Sequence, residues 1–108
     1  VLSEFGLNRD GGSFDPASGV VARDRFYRAI YDRLLQRMQA GDAIAGSNFW
    51  AWGGRGRTTN ADFMWKAGDP FTGDPPQEAQ GLFSLFDSDA TTLGIVSGHA
   101  RAIHALDP

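Results

Sequence analysis

Between positions 20 and 40 the apolar residues recur at helical spacing. Val21, Phe26, Tyr27, Ile30, Tyr31, Leu34, Leu35 and Met38 share one face, and Arg23, Asp24, Arg25, Arg28, Asp32, Arg33, Gln36, Arg37 and Gln39 fill the other. The pattern predicts an amphipathic helix from about Ser18 or Val20 to Ala40, with a solvated arginine side that Asp24 and Asp32 interrupt. Gly41 is placed to end it. Short apolar runs flank this helix. Val1 to Gly6 is an apolar start, a carboxylate, an aromatic ring and a glycine, which reads as a strand ending in a turn. Ile44 to Trp50 alternates, with Ile44, Gly46, Asn48 and Trp50 on one side and Ala45, Ser47 and Phe49 on the other. Gly46 and Asn48 beneath Trp50 suit a barrel lumen opening into a site, whereas a plain buried strand is richer in Val and Ile. Two strands across one helix make a βαβ unit, and Glu4 then stands at a strand's carboxyl end, where α/β folds place their chemistry.

The remaining segments are less periodic. Leu7 to Gly19 is polar, with turn signals at Asp10-Gly11-Gly12 and Asp15-Pro16. It reads as the loop leaving the first strand at the site end; Asn8, Arg9 and Asp10 are within reach of a ligand, although solvation is their simpler role. From Ala51 to Asp87 no period is sustained, and Pro70, Pro75, Pro76 and several glycines forbid a long helix. A loop of this length is uncommon unless it is functional. It carries Trp52, Phe63, Met64, Trp65 and Phe71, which must pack on something, so an ordered excursion over a cleft is expected. A last helix is predicted over about Asp89 to Leu106, with Asp87, Ser88 or Asp89 as N-cap and Leu93, Val96, Ala100 and Ile103 as inner stripe.

Taken together, several motifs resemble one enzyme family. Glu4-Phe5-Gly6-Leu7-Asn8-Arg9-Asp10-Gly11-Gly12-Ser13-Phe14, followed by Gly46-Ser47-Asn48-Phe49-Trp50-Ala51-Trp52-Gly53, resembles the carboxyl-terminal part of glycoside hydrolase family 5, most closely the bacterial endo-β-1,4-mannanases. The runs Gly68 to Glu78 and Gly81 to Asp87 are similar to those enzymes too. The resemblance implies an α/β fold: the carboxyl-terminal part, about the last two βα units, of a (β/α)₈ barrel. A whole barrel needs about 250 residues, so residues 1–108 are expected to be one piece of a glycoside hydrolase domain. Val1 then begins inside a strand, and the resemblance implies a secreted or periplasmic enzyme.

Composition narrows the alternatives. A net charge of −3, from 10 basic and 13 acidic residues, argues against a nucleic-acid footprint. No apolar run approaches the ~20 residues of a membrane span. Zero cysteines excludes disulfides and thiolate metal sites. His99 and His104 are five apart, a spacing that does not align two ligands on a helix, so no metal or other cofactor is expected. Both read as surface or packing residues.

Retaining glycosidases need two carboxyl groups about 5–5.5 Å apart. Residue type alone favours a Glu4 paired with Arg or Lys; the matched motifs shift the reading, since the family position implies the catalytic nucleophile. The resemblance supplies the acid/base from an Asn-Glu pair on the fourth strand, which this chain lacks, and Glu78 does not match that position. Alone, the chain is expected to be inactive and to need the rest of the barrel or another polypeptide. Trp50 is the second candidate: a rigid indole stacks on the apolar face of a pyranose, and the resemblance places a Trp here beside the scissile bond, with a strained or cis peptide after it. Trp52 and Trp65 are expected either at substrate subsites or in loop packing. The expected substrate is β-mannan or a related polysaccharide; the alternatives are a family 5 cellulase-like β-glucanase or a non-catalytic carbohydrate-binding module, usually a β-sandwich.

Overall fold

The structure, a computed structural model, describes residues 1–106. Strand β1 (Leu2–Phe5) pairs in parallel with β2 (Ser47–Phe49), and helix α1 (Val21–Gln39) connects them. This is the expected βαβ unit. The second strand is shorter than its alternation predicts, because Ile44 N–H bonds back to the Asp42 carbonyl (2.8 Å) and holds the chain out of the sheet. Inside the stretch that lacked a period, β3 (Trp52–Gly54) and β4 (Leu85–Phe86) form a second parallel pair. Strands of two or three residues are too short to leave a detectable alternation. Helix α2 (Ala90–His104) follows, and the arrangement is not the β-sandwich that a binding module calls for.

Phe5 is the centre of the core. Its ring lies 5.4 Å from Tyr27, 5.6 Å from Tyr31 and 6.4 Å from Phe26. Ile30, Leu34 and Phe49 close around it, and Ile95 and Val96 come from α2. The predicted helical faces need two adjustments. Val21 is exposed, since it starts α1 beyond the edge of the core. On α2 the inner stripe is turned: Thr92 is buried, Ile95 and Val96 pack inward, and Ala100 is exposed. His99 is a packing residue, stacked on Tyr31 at 4.1 Å.

The larger correction concerns charge. Arg23 and Asp24, expected on a solvated face, are buried, and so is Arg9 of the first loop. Asp89 is the partner of the two arginines. Its carboxylate accepts from Arg9 at 2.6 and 2.8 Å, pairs with Arg23 at 2.9 Å and accepts the Phe86 N–H at 2.8 Å. Although Asp89 stands at the N-cap position of α2, its side chain makes no cap bond to that helix. Arg23 also donates to the Ser84 carbonyl (2.9 Å), and the Thr92 hydroxyl donates to Asp24. The start of α1 is set by Asp10, whose carboxylate accepts the Val21 and Ala22 N–H groups (2.8 and 3.0 Å). Those bonds hold its pKa below the ordinary 3.8. Arg9 and Asp10 therefore lock the fold.

Candidate active site

The end of β1 is irregular at one residue. Between the pairs Leu2–Ser47 and Phe5–Phe49, β1 advances three residues while β2 advances two. The extra step holds Glu4, whose backbone is left-handed at φ +59°. A non-glycine residue in that region is uncommon and costs energy, and such residues cluster at functional sites. A bulge in a parallel pair is rare, and its usual effect is to re-aim a side chain. Phe5 directly after it returns to the core, and the Trp50 N–H donates to the Phe5 carbonyl at 2.7 Å. The bulge thus lies between two firmly paired points. Glu4 is exposed and forms no ion pair among the described residues, so the Arg or Lys partner that a structural role requires is absent from them.

Trp50 follows β2 directly. The Trp50–Ala51 peptide is cis, as the resemblance implied. The backbone on both sides is held: Tyr27 Oη–H donates to the Trp50 carbonyl at 3.5 Å, Ala51 N–H to Phe83 O at 3.4 Å, and Leu85 N–H to Ala51 O at 2.8 Å. Tyr27 is fully buried, and burial pushes its phenol pKa well up, so its hydroxyl keeps its proton to donate. Gly6 lets the two strand ends converge. A Cβ there would lie 2.3 Å from the Trp50 carbonyl oxygen, closer than any side chain permits.

Glu4, Gly6, Trp50, Glu78 and Phe83 line one cleft of about 180 Å³. The structure therefore brings together the two residues singled out first, Glu4 and Trp50. It adds a second carboxyl group, Glu78, which the sequence reading set aside because it does not match the acid/base position that the resemblance implies. Its delivery depends on the fold of the excursion: Met64 bridges Ala79, Gln80 N–H donates to Phe63 O (2.8 Å), and the Gln80 side chain bonds Thr72, Pro75 and Glu78. Trp52 and Trp65 do not line this cleft. Trp52 is 56% exposed on β3; Trp65 donates its indole N–H to the Asp69 carbonyl (3.1 Å) and stacks on Phe71. Two larger depressions, of about 440 and 550 Å³, lie at the helix starts and between α1 and α2, and neither joins two carboxyl groups to an indole. Among the described residues no group of three or more His, Asp or Glu is placed to hold a metal ion. An indole and a carboxyl group in one cleft can hold a pyranose by its apolar face and present an oxygen nucleophile to it.

The chain is similar to known proteins along nearly its whole length. A family model described as GH family 5 beta-mannosidase-like matches residues 1–107. The mannan endo-1,4-beta-mannosidase 5 of Arabidopsis thaliana is 28% identical over 102 residues, which are 94% of this chain and 21% of that protein. Two solved structures of a glycoside hydrolase family 5 mannosidase from Rhizomucor miehei, one of a glutamate-to-alanine variant in complex with mannosyl-fructose, superpose with TM-scores of 0.78 and 0.77. Each is 28% identical, with 94% of this chain covering 26% of that one. The chain thus spans about a fifth of the curated relative and about a quarter of the solved structures. These relatives are from a plant and a fungus, and none of them ties the chain to bacteria.

Proposed function

The chain belongs to the glycoside hydrolase family 5 β-mannosidase-like family, and from that membership we propose that it is the nucleophile-bearing part of a retaining endo-β-1,4-mannanase. The observation that carries this reading is the left-handed bulge at Glu4, which sets an unpaired carboxylate in one cleft with Trp50. In this reading residues 1–108 are the last two βα units of a (β/α)₈ barrel, and the substrate is a mannan-type polysaccharide. The acid/base carboxyl comes from a strand outside this chain.

Trp50 supports the sugar ring by its apolar face and leaves the hydroxyls free. Glu4 attacks the anomeric carbon as the leaving oxygen takes a proton from the acid/base group. The resulting glycosyl-enzyme is opened by water, which the same group deprotonates, and configuration is retained. Glu78, which lines the same cleft, accepts hydrogen bonds from sugar hydroxyls in this reading. Trp52 and Trp65 stay outside this step, as sugar contacts further along the chain.

The test uses the protein carrying its whole barrel. Glu4→Gln keeps size and removes the nucleophilic charge; it should cut turnover by several orders of magnitude while oligosaccharide binding and melting stay near wild type. Trp50→Ala should weaken sugar binding by about tenfold. A 2-fluoromannoside inactivator should label Glu4, as read by peptide mass spectrometry. Labelling by the fluoroglucoside alone would move the substrate to a β-glucan. A label on another carboxylate, or near-normal turnover in Glu4→Gln, would make Glu4 structural.

A further inference from the structure

The excursion between β3 and β4 presents an aromatic surface that the cleft does not use. Phe71 is 72% exposed, although phenylalanine is a residue that folding normally buries. One face of its ring is backed by Trp65, at 5.5 Å and 13° from parallel. Trp65 is itself fixed by its indole N–H on the Asp69 carbonyl. Beneath it the Asp69 carboxylate accepts from the Asn60 amide (2.6 Å) and the Lys66 N–H (2.8 Å), so the pair rests on an ordered turn. Its placement is not remote from the cleft. The antiparallel Met64–Ala79 bridge and the Gln80-to-Phe63 bond bring the chain entering Trp65 alongside the chain leaving Glu78. Glu78 is part of the cleft wall.

We infer that the Phe71–Trp65 pair is an outlying sugar-binding surface, on which a β-linked hexopyranose chain lies as it runs out of the Glu4–Trp50 cleft. The inference rests on the proposed function and deepens it, by joining Phe71 to Trp65 in one defined surface. Two stacked rings offer the apolar face of a pyranose a flat, rigid area at little entropic cost. Asp62 and Lys66, both exposed and 3.7 Å apart, flank the turn and supply polar groups for the hydroxyls. A surface of this kind acts only on substrates long enough to reach it.

Chain-length dependence is therefore the test, measured in the protein carrying its whole barrel. Phe71→Ala should raise KM for mannohexaose about tenfold and leave kcat, and all constants for mannotriose, within about twofold of wild type. Phe71→Tyr keeps the flat ring and should match wild type. Phe71→Leu keeps apolar bulk without a flat face and should behave as the alanine variant; if alanine prevents folding, the Leu–Tyr comparison decides. Recovery by leucine, or equal effects on both substrates, would make Phe71 a packing residue and overturn the inference. If the protein cleaves mannan and no Phe71 variant alters chain-length dependence, the surface alone fails. If it cleaves no β-mannan at all, the proposed function fails and this surface with it.

Discussion

At the scale of single residues, the cleft depends on two backbone peculiarities with different visibility. Glu4 and Trp50 were legible as residue types at the ends of short apolar runs. The left-handed turn at Glu4 was not, because nothing in a non-glycine residue's identity announces a positive φ. Gly6 lies between these cases: a glycine after a strand reads as a turn, yet its use here is steric. The Trp50 carbonyl occupies the place of its missing Cβ, at 2.3 Å. Gly6→Ala should therefore push the β2 end away from β1 and displace Trp50 relative to Glu4. A misplacement of about 1 Å in such a site costs on the order of 10²-fold in rate. On the proposed function, steady-state kinetics on mannan in the protein carrying its whole barrel should show that loss; a variant within about threefold of wild type would mean that the strand ends move without consequence.

At the scale of elements, α1 and the segment from β4 into α2 are joined by ions that looked like surface charge. A helical wheel places Arg23 and Asp24 on the polar side of α1 but cannot show that residues far along the chain will cover them. Arg9 and Arg23 are 1% and 0% exposed, and both pair with the one Asp89 carboxylate. Removing one partner of a buried ion pair strands the others without solvent, at a cost of about 3–5 kcal/mol. Asp89→Asn should therefore lower stability by an amount of that order in denaturant unfolding. Burial alone would raise the Asp89 pKa, but bonds from Arg9, the Phe86 N–H and Arg23 together outweigh it and hold it below 3.8. A carboxyl whose folded pKa is depressed contributes its stability above the unfolded value and loses it as pH falls through the folded one. The gap between wild type and Asp89→Asn should thus be full above about pH 5 and narrow as pH falls below 3.8. A gap independent of pH would mean that shape, not charge, holds these elements together.

At the scale of the whole molecule, the helices and first strand pair were legible from period and turn residues, while β3, β4 and the route of the excursion were not. Their order comes from side chains bonding backbone across a loop, as when Asn60, Asp69 and Gln80 tie it together. The molecule is also more extended than a compact chain of its length. The radius of gyration is 15.2 Å, against about 13 Å for a compact chain of this length. Its surface of 6409 Å² exceeds the roughly 5,900 Å² expected for the mass. Among the described residues only Phe5, Tyr27, Tyr31, Ala51, Leu85 and Phe86 are buried hydrophobics. Each sheet has two strands, so every strand keeps an unpaired edge. In the barrel of the proposed function, closure would pair these edges with further strands. The 108 residues expressed alone should therefore self-associate in sedimentation equilibrium and melt over a broad range. Co-expression with the other strands of the barrel should give a single species with a sharp transition. A lone chain that sediments as a monomer and unfolds cooperatively would show that these two strand pairs and two helices form a domain by themselves.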